Sequence, residues 1–250
     1  MAGSGQPPVA GSMKTSRQMA EELEKGLHAA LLDFVREALL SWWRAHGLEY
    51  PWRSYRDPWE VLVSEILLRK TNAEKVSSRI GEVLSVLRSP EDVLRLREED
   101  LADLLRPFGM QRIKARQLRG LAQRLAAEGG RIPEDPEALS ALPGVGRYIA
   151  AAVLCFALGR PAAAVDTNVI RVLTRVFGVK PERSRPRADP YIWKIAELLL
   201  PADHPREHSW ALLDLGKKVC RPRRPKCSEC PLAAVCWWNA RRAEGTAGRE

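Results

Sequence analysis

The sequence contains no apolar run long enough to cross a membrane. Its longest nearly uninterrupted apolar stretch, 148–158, is well short of the roughly 20 residues that a bilayer-spanning helix needs. Residues 1–18 are rich in Gly, Pro and Ser and have no apolar core of the kind that a signal peptide has. We therefore expect no membrane partner and an intracellular, cytoplasmic location.

Cysteine is scarce, with five residues in 250, and four of the five lie between positions 220 and 236. So few cysteines in so long a chain argue against a disulfide scaffold. The clustering of four cysteines within a short segment favours a metal site in a reducing compartment. Cys155 stands apart in the apolar stretch, where core packing is the expected role.

A strand pattern of any length is also missing, and the apolar residues recur with helical spacing. The predicted fold class is therefore all-α, with a flexible tail at 1–18 and a polar tail at 237–250. We predict helices at 19–46 as one long helix or two joined ones, 58–69, 72–87, 90–105, 111–128, 136–141, 190–200 and 207–220.

Basic residues outnumber acidic ones, which leaves a formal charge of +9 and a pI near 9.6. A basic surface attracts polyanions and releases their counterions, so nucleic acid is the partner that fits best. With 45% apolar residues the chain has enough to build a packed core.

The run LPGVG at 142–146 separates two helical patterns. Glycines at 144 and 146 tolerate the positive φ that aims successive backbone N–H groups at one anion, so this turn can hold a phosphate. Twenty residues after Gly146 comes Asp166, directly before a helical pattern, where a carboxylate caps the helix and stays ionised.

LPGVGR, an apolar helix and VDTN followed by VIRVLTRVFGV resemble the helix-hairpin-helix DNA glycosylases, which include endonuclease III, the MutY adenine glycosylases and the archaeal thymine mismatch glycosylases. The resemblance implies two α-helical domains. One is a six-helix domain at 52–162 that contains the hairpin, and the other joins 19–51 to 163–236 and carries a C-terminal iron–sulfur cluster loop. It also implies an active site in the cleft between the domains.

The implied activity is base excision repair. A monomer, nucleoid-associated in the cell, would bind double-stranded DNA, flip out a mismatched or damaged base and hydrolyse its glycosidic bond. WRSYRDPWEVLVSEILLRKT resembles the family segment whose glutamate is catalytic, although periodicity alone would leave Glu65 as a solvent-exposed helix residue. Glu65 would then donate a proton or activate water, and the charged Asp166 would stabilise the oxocarbenium sugar.

Tyr148 occupies the position at which endonuclease III has its Schiff-base lysine. A phenol cannot form an imine, so the resemblance predicts a monofunctional enzyme with little or no lyase activity at abasic sites. Within the family, a tyrosine at this position lines the base pocket.

The remaining implied contacts are with DNA. The hairpin would grip phosphate, Met110 or Gln111 would be the wedge that fills the gap left by the flipped nucleotide, and Asn168 would support Asp166. Lys70 falls where MutY enzymes have the second glutamine of a QQT run that probes the opposite strand. The implied DNA-binding residues are Arg69, Lys70, Met110, Gln111, Leu142, Gly144, Val145, Gly146, Arg147 and Asn168.

Cys220, Cys227, Cys230 and Cys236 have the spacing C-x6-C-x2-C-x5-C. Ligand chemistry alone leaves zinc open, but structural zinc sites more often pair two CxxC units. The spacing resembles that of the [4Fe-4S] loop of endonuclease III and MutY. Basic residues crowd this loop, where they either contact phosphate or form a solvated face.

Two runs bear on the excised base. RKT at 69–71 and Asp-Thr-Asn at 166–168 resemble the RRT and Asp-Ala-Asn of the thymine enzymes more than the QQT and Asp-Gly-Asn of MutY. We therefore expect thymine or uracil opposite guanine, with adenine opposite guanine or 8-oxoguanine as the alternative. A non-catalytic DNA-binding module is a third hypothesis. The pair Glu65 and Asp166 argues against it, since binding alone would not need a carboxylate near the phosphates.

Overall fold

The computed structural model describes residues 12–243. The chain divides into two compact units. One unit runs from Glu49 to Ala164, and the other joins the residues up to Leu48 to those from Val165 onward. The domain limits expected from the sequence, 52–162 for the contiguous unit, differ from these by two or three residues.

The contiguous unit consists of short helices, several of which begin at an Asp-Pro pair. Asp57 caps the first helix by accepting from the backbone N–H of Trp59 at 2.7 Å, and Asp135 caps a later one in the same way. The helices are α3 (Pro58–Leu68), α4 (Ala73–Ser77), α5 (Ile80–Val86), α6 (Pro90–Arg95), α7 (Glu98–Leu105), α8 (Gln111–Ala127), α9 (Pro136–Ala141) and α10 (Arg147–Ala152).

This unit has eight α-helices in place of the predicted six, because two predicted helices are broken. The range 72–87 divides at Arg79, whose φ of −134° is not helical. The range 90–105 divides where Leu96 and Arg97 adopt extended backbone conformations. Apolar spacing continues across both breaks, so periodicity alone does not detect them.

The other unit brings the two ends of the chain together. Helix α1 packs on α12, and α13 packs on both α2 and α11. The helices are α1 (Ser16–Glu24), α2 (Ala29–His46), α11 (Thr167–Phe177), α12 (Pro190–Leu199), α13 (Pro205–Lys218) and α14 (Trp237–Ala243). The predicted 19–46 segment is two helices, separated at Gly26, which has a φ of +72°.

Both predicted tails are partly ordered. Lys14–Thr15 forms a two-residue strand, β1, parallel to β2 at Val179–Lys180. Ser16 begins α1 and donates to Asp189 at 2.8 Å, so residues 14–18 are not a flexible tail. At the other end, Trp237 begins α14, and Trp237 lies against Gly178. Residues 1–11 and 244–250 lie outside the described range.

Leucine, isoleucine and valine side chains fill the interior of each unit, and many of them are fully buried. In the range that the structure covers, no helix combines the length and apolarity that crossing a bilayer requires. Buried polar residues are fewer, and three of them, Glu65, Lys114 and Arg175, lie in segments that the sequence associates with function.

Candidate functional site

Glu65 lies in the second half of α3 and is 6% exposed. Its neighbours from Val61 to Leu67 are all buried, because α3 packs against α10 and against the single π-helical turn Val153–Ala157 that continues α10. The helix is therefore apolar around its circumference and carries one buried carboxyl group. A carboxyl group enclosed in this way is a candidate for proton transfer to a leaving group or from a water molecule.

Tyr148 is the second residue of α10, and its side chain is half-buried. Since α10 packs on α3, the structure places Tyr148 and Glu65 on adjacent helices of the same unit. Neither residue lies in the same unit as Asp166.

The hairpin turn has the left-handed backbone expected from the sequence at one of its two glycines. Gly144 has a φ of +79°, whereas Gly146, with a φ of −91°, is extended and caps the start of α10. Leu142 and Val145 are each 3% exposed, so their side chains belong to the core. Any contact of these two residues with a phosphate would come from the backbone, whereas Arg147 at the first position of α10 is exposed.

The predicted probing residues lie on two loops of the same unit. Arg69 and Lys70 follow α3 and are exposed, and Arg69 reaches the carbonyl of Gly144 at 3.5 Å. Met110, 41% exposed, immediately precedes α8, and Gln111 is the first residue of that helix. An exposed methionine ahead of a helix has the size and apolar character that a wedge between bases needs.

Asp166 caps α11. Its Oδ1 accepts from the backbone N–H groups of Asn168 at 2.7 Å and Val169 at 2.8 Å, and its Oδ2 accepts from Asn168 Nδ2 at 2.7 Å. Three N–H donors and the positive end of the helix dipole therefore surround the carboxylate. The prediction that Asp166 opens a helix is confirmed.

A chain of hydrogen bonds leads from Asp166 to the cysteine loop. Asn168 accepts from Arg171 Nη2 at 2.8 Å, and Arg171 Nε donates to the carbonyl oxygen of Cys220 at 2.6 Å. Arg171 also donates to the carbonyl of Gly216 at 2.7 Å. A Cβ on Gly216 would lie 2.6 Å from that of Asn168, so only glycine allows α13 this close to α11. The sequence did not single out Arg171 or Gly216.

All four loop cysteines line one pocket of about 370 Å³, counting its open mouth. Among the described residues, no three metal-binding side chains lie close enough to share a single ion. An iron–sulfur cluster does not require such closeness, because its four thiolates hold a polynuclear centre. The pocket also contains Arg175 and Trp238, and the Arg175 guanidinium lies 4.9 Å from the Trp238 ring centroid.

The chemistry of the pocket suits a positively charged metal centre. Burial raises the pKa of Cys230 to about 12 and that of Cys236 to about 11, so these thiols ionise only if a cation compensates. Arg175 donates to Cys220 Sγ at 3.6 Å, and Arg242 donates to Cys227 Sγ at 3.8 Å, contacts that would stabilise thiolate ligands. When bound, a cluster would be held by these four cysteines and would fix the loop between α13 and α14.

The basic side chains of the loop differ in their solvent exposure and in their hydrogen bonds to the protein. Arg221, Arg223 and Arg224 are exposed. Lys226 is paired with Glu229 at 2.9 Å, and Lys218 donates to the carbonyl of His46. The three arginines therefore form the part of the loop that is open to a phosphate.

Comparison with known proteins agrees with this arrangement. Residues 63–197 match the model of the HhH-GPD superfamily of base excision DNA repair proteins, and residues 220–236 match the iron–sulfur binding domain of endonuclease III. The fold and these matches define a helix-hairpin-helix DNA N-glycosylase with a [4Fe-4S] cluster. The chain belongs to the HhH-GPD superfamily.

The similarity to individual relatives extends over most of the chain. The thymine-DNA glycosylase of Aeropyrum pernix is 42% identical over 218 residues, which cover 86% of this chain and 96% of the relative. The thymine/uracil-DNA glycosylase of Pyrobaculum aerophilum is 41% identical over 79% of this chain and 88% of its own length. The solved structure of a thermostable thymine-DNA glycosylase superposes with a TM-score of 0.77 at 34% identity, covering 83% of this chain and 95% of that one.

We predict that protein purified without oxygen contains about four iron atoms per chain and has the broad visible absorbance of an iron–sulfur cluster. Replacing Cys230 with alanine should remove most of the iron, since Cys230 lines the pocket. Cys155→Ala is the matched control and should keep the iron, because Cys155 is buried in the other unit. Elemental analysis checks both, and zinc in place of iron would contradict the assignment.

Proposed function

We propose that this DNA N-glycosylase removes thymine or uracil from a mispair with guanine. The observation that carries the proposal is the similarity to thymine and thymine/uracil glycosylases over nearly their whole length. The residues agree with it, because Arg69-Lys70-Thr71 and Asp166-Thr167-Asn168 are closer to the thymine type than to the MutY type. We propose further that the enzyme acts as a monomer on mispaired duplex DNA of the nucleoid.

In the proposed reaction, the bond between the sugar C1′ and the base nitrogen breaks, and its electron pair leaves with the base. A water oxygen then bonds to C1′ and loses a proton. Positive charge develops on the sugar in the transition state. Asp166 would stabilise that charge, since its carboxylate is held in place by three N–H donors.

Glu65 would supply the proton transfer. Glu65 is buried in α3, and a carboxyl group can donate a proton to the departing base and then take one from the attacking water. We propose that Glu65 and Asp166 act on the same flipped nucleoside in these separate roles. The two roles require carboxyl groups in different environments, and the structure gives one an apolar helix and the other a helix N-terminus.

The base assignment is tested by excision assays on otherwise identical duplexes that contain T·G, U·G, A·G or A·8-oxoguanine, with T·A as the matched control. We expect T·G and U·G to be processed and the two adenine mispairs to be left intact. Preferential excision of adenine would contradict the proposal and would support the MutY-like alternative. Binding of all mispairs without excision of any would support a non-catalytic role.

We predict that the enzyme is monofunctional. Tyr148 has no amine, and Lys114 is only 2% exposed with its Nζ bonded to three oxygen atoms. The product should therefore be an intact strand with an abasic site, which breaks only after alkali treatment. Borohydride trapping on the processed duplex checks this, and a strong covalent adduct with the unmodified protein would contradict it.

The variant Tyr148→Lys tests the reason for monofunctionality. It places an amine on α10, and we expect a borohydride-trapped adduct to appear with it. Tyr148→Phe is the matched control and should give none. If Tyr148→Lys also gives none, the amine position is insufficient for imine formation.

A further inference from the structure

Two exposed loop tips in the contiguous unit have strained backbones. Lys70 has a φ of +52° and Met110 a φ of +51°, and in residues 12–243 Arg224 is the other non-glycine residue with a positive φ. The left-handed region is unfavourable for residues with a Cβ and persists only where the surroundings impose it. Some contact must therefore hold both tips.

The ammonium group of Lys114 makes contacts on both loops. From the interior, its Nζ donates to the carbonyl of Leu67 at 2.9 Å, the hydroxyl of Thr71 at 2.5 Å and the carbonyl of Phe108 at 2.9 Å. Leu67 and Thr71 flank Lys70, and Phe108 lies two residues before Met110. One side chain on α8 is thus bonded to the base of both tips.

The three bonds also account for all three protons of the ammonium group. The carbonyl of Leu67 lies in the last turn of α3, where carbonyl groups have no partner within the helix and favour a cation. Burial and the charge of Arg69 lower the pKa of Lys114 to about 8. The amine is nevertheless enclosed by its three acceptors. Lys114 therefore has the geometry of a residue that holds the two loops together.

Thr71 joins the two loops directly as well. Its hydroxyl has one proton, and the shorter of its two contacts as a donor is with the carbonyl of Phe108, at 2.7 Å against 3.3 Å for that of Arg69. The carbonyl of Phe108 therefore accepts from both Thr71 and Lys114. Loss of either donor would weaken the link between the loops.

We propose that Lys114 and Thr71 form a clamp that sets Lys70 and Met110 at a fixed separation, so that the enzyme probes the opposite strand and fills the vacated stack in one step. This proposal rests on the proposed function and on the expectation from the sequence that Lys70 and Met110 contact the mispaired duplex. Lys114 and Thr71 are positioning residues, and they act through the loop tips.

The test compares two duplexes with the same target base. In the first, the base is in the mispair that the unmodified enzyme processes fastest. In the second, it lies opposite an abasic analogue, so there is no opposite base to probe and extrusion is easier. The quantity measured is the ratio of the single-turnover excision rates, mispair over abasic partner, which a uniform loss of active enzyme does not change.

We expect Thr71→Val to lower this ratio at least about tenfold, because it removes a hydroxyl that bonds to a charged group and to the second loop. Thr71→Ser keeps the hydroxyl and should restore the ratio. Lys114→Met introduces an uncharged side chain of similar length, and it should lower the ratio as Thr71→Val does. Lys25→Met, at an exposed position in the other unit, is the control for loss of one positive charge.

A second measurement does not depend on catalysis. 2-Aminopurine placed beside the target base becomes fluorescent when the stack opens, and we expect Thr71→Val to reduce that signal on the mispair. If neither Thr71→Val nor Lys114→Met changes the ratio or the fluorescence, the clamp proposal is wrong. If the unmodified enzyme excises no base from any mispair, the proposed function fails, and the fluorescence alone decides on the clamp.

Discussion

Asp166→Asn should lower the rate of base excision by about 10³-fold, which is the upper end of the cost of removing one electrostatic stabiliser. The substitution removes the charge and almost none of the volume. Binding to the mispaired duplex should stay within a few fold, since the hairpin and the loop tips lie in the other unit. Single-turnover excision and equilibrium binding to the same duplex measure the two effects separately.

The hydrogen bonds around Asp166 predict a structural side effect. An asparagine at 166 can still cap α11 with its carbonyl oxygen. Its NH₂ group, however, would face the NH₂ of Asn168, which cannot rotate without giving up its bond from Arg171. An unpaired donor costs about 1–3 kcal/mol, so we expect a Tm lower by roughly 2–4 °C for each kcal/mol lost.

Exchanging the two residues separates the charge effect from that side effect. In the double variant Asp166→Asn with Asn168→Asp, the amide at 166 faces a carboxylate that can also accept from Arg171, so most of the stability should return. Excision should not return, because the charge has moved by two residues. Near-normal excision in the single or the double variant would show that Asp166 is only a helix cap.

Helix starts were the most predictable part of the fold. Asp57, Asp135 and Asp189 each precede a proline and cap a helix whose start is predicted from the sequence, because the cap is a local interaction between neighbouring residues. Segments that depend on distant partners were predicted poorly. Residues 14–18 are held in place partly by contacts with distant residues: β1 pairs with β2 and Ser16 bonds to Asp189, and both partners are more than 160 positions away.

The same distinction applies to the candidate site. Asp166 and the four cysteines were recognisable from spacing within a short stretch. Arg171 appears in the sequence as one more basic helix residue, and the carbonyl groups that define its role belong to residues 45 and 49 positions later. Lys114 would be placed in water on composition alone, and only the fold shows that it is buried with three acceptors.

Glu65→Gln should lower excision by about 10²- to 10⁴-fold, the contribution typical of general acid–base catalysis. Glutamine has nearly the same shape as glutamate, and it can neither donate a carboxyl proton nor take one from water. Glu65 is 6% exposed, and an amide of nearly the same shape fits the same enclosed position. We therefore expect the variant to fold, as judged by thermal melting, while excision falls.

Glu60→Gln is the matched control for this prediction. Glu60 lies five residues earlier on the same helix, and burial, together with the nearby Asp57, raises the pKa of Glu60. It thus shares with Glu65 a carboxyl group in partly apolar surroundings, but it lies in the first turn of α3. Excision that falls equally in Glu60→Gln and Glu65→Gln would attribute the loss to the helix. A loss confined to Glu65→Gln, with both variants folded by thermal melting, would identify Glu65 as the group that transfers the proton.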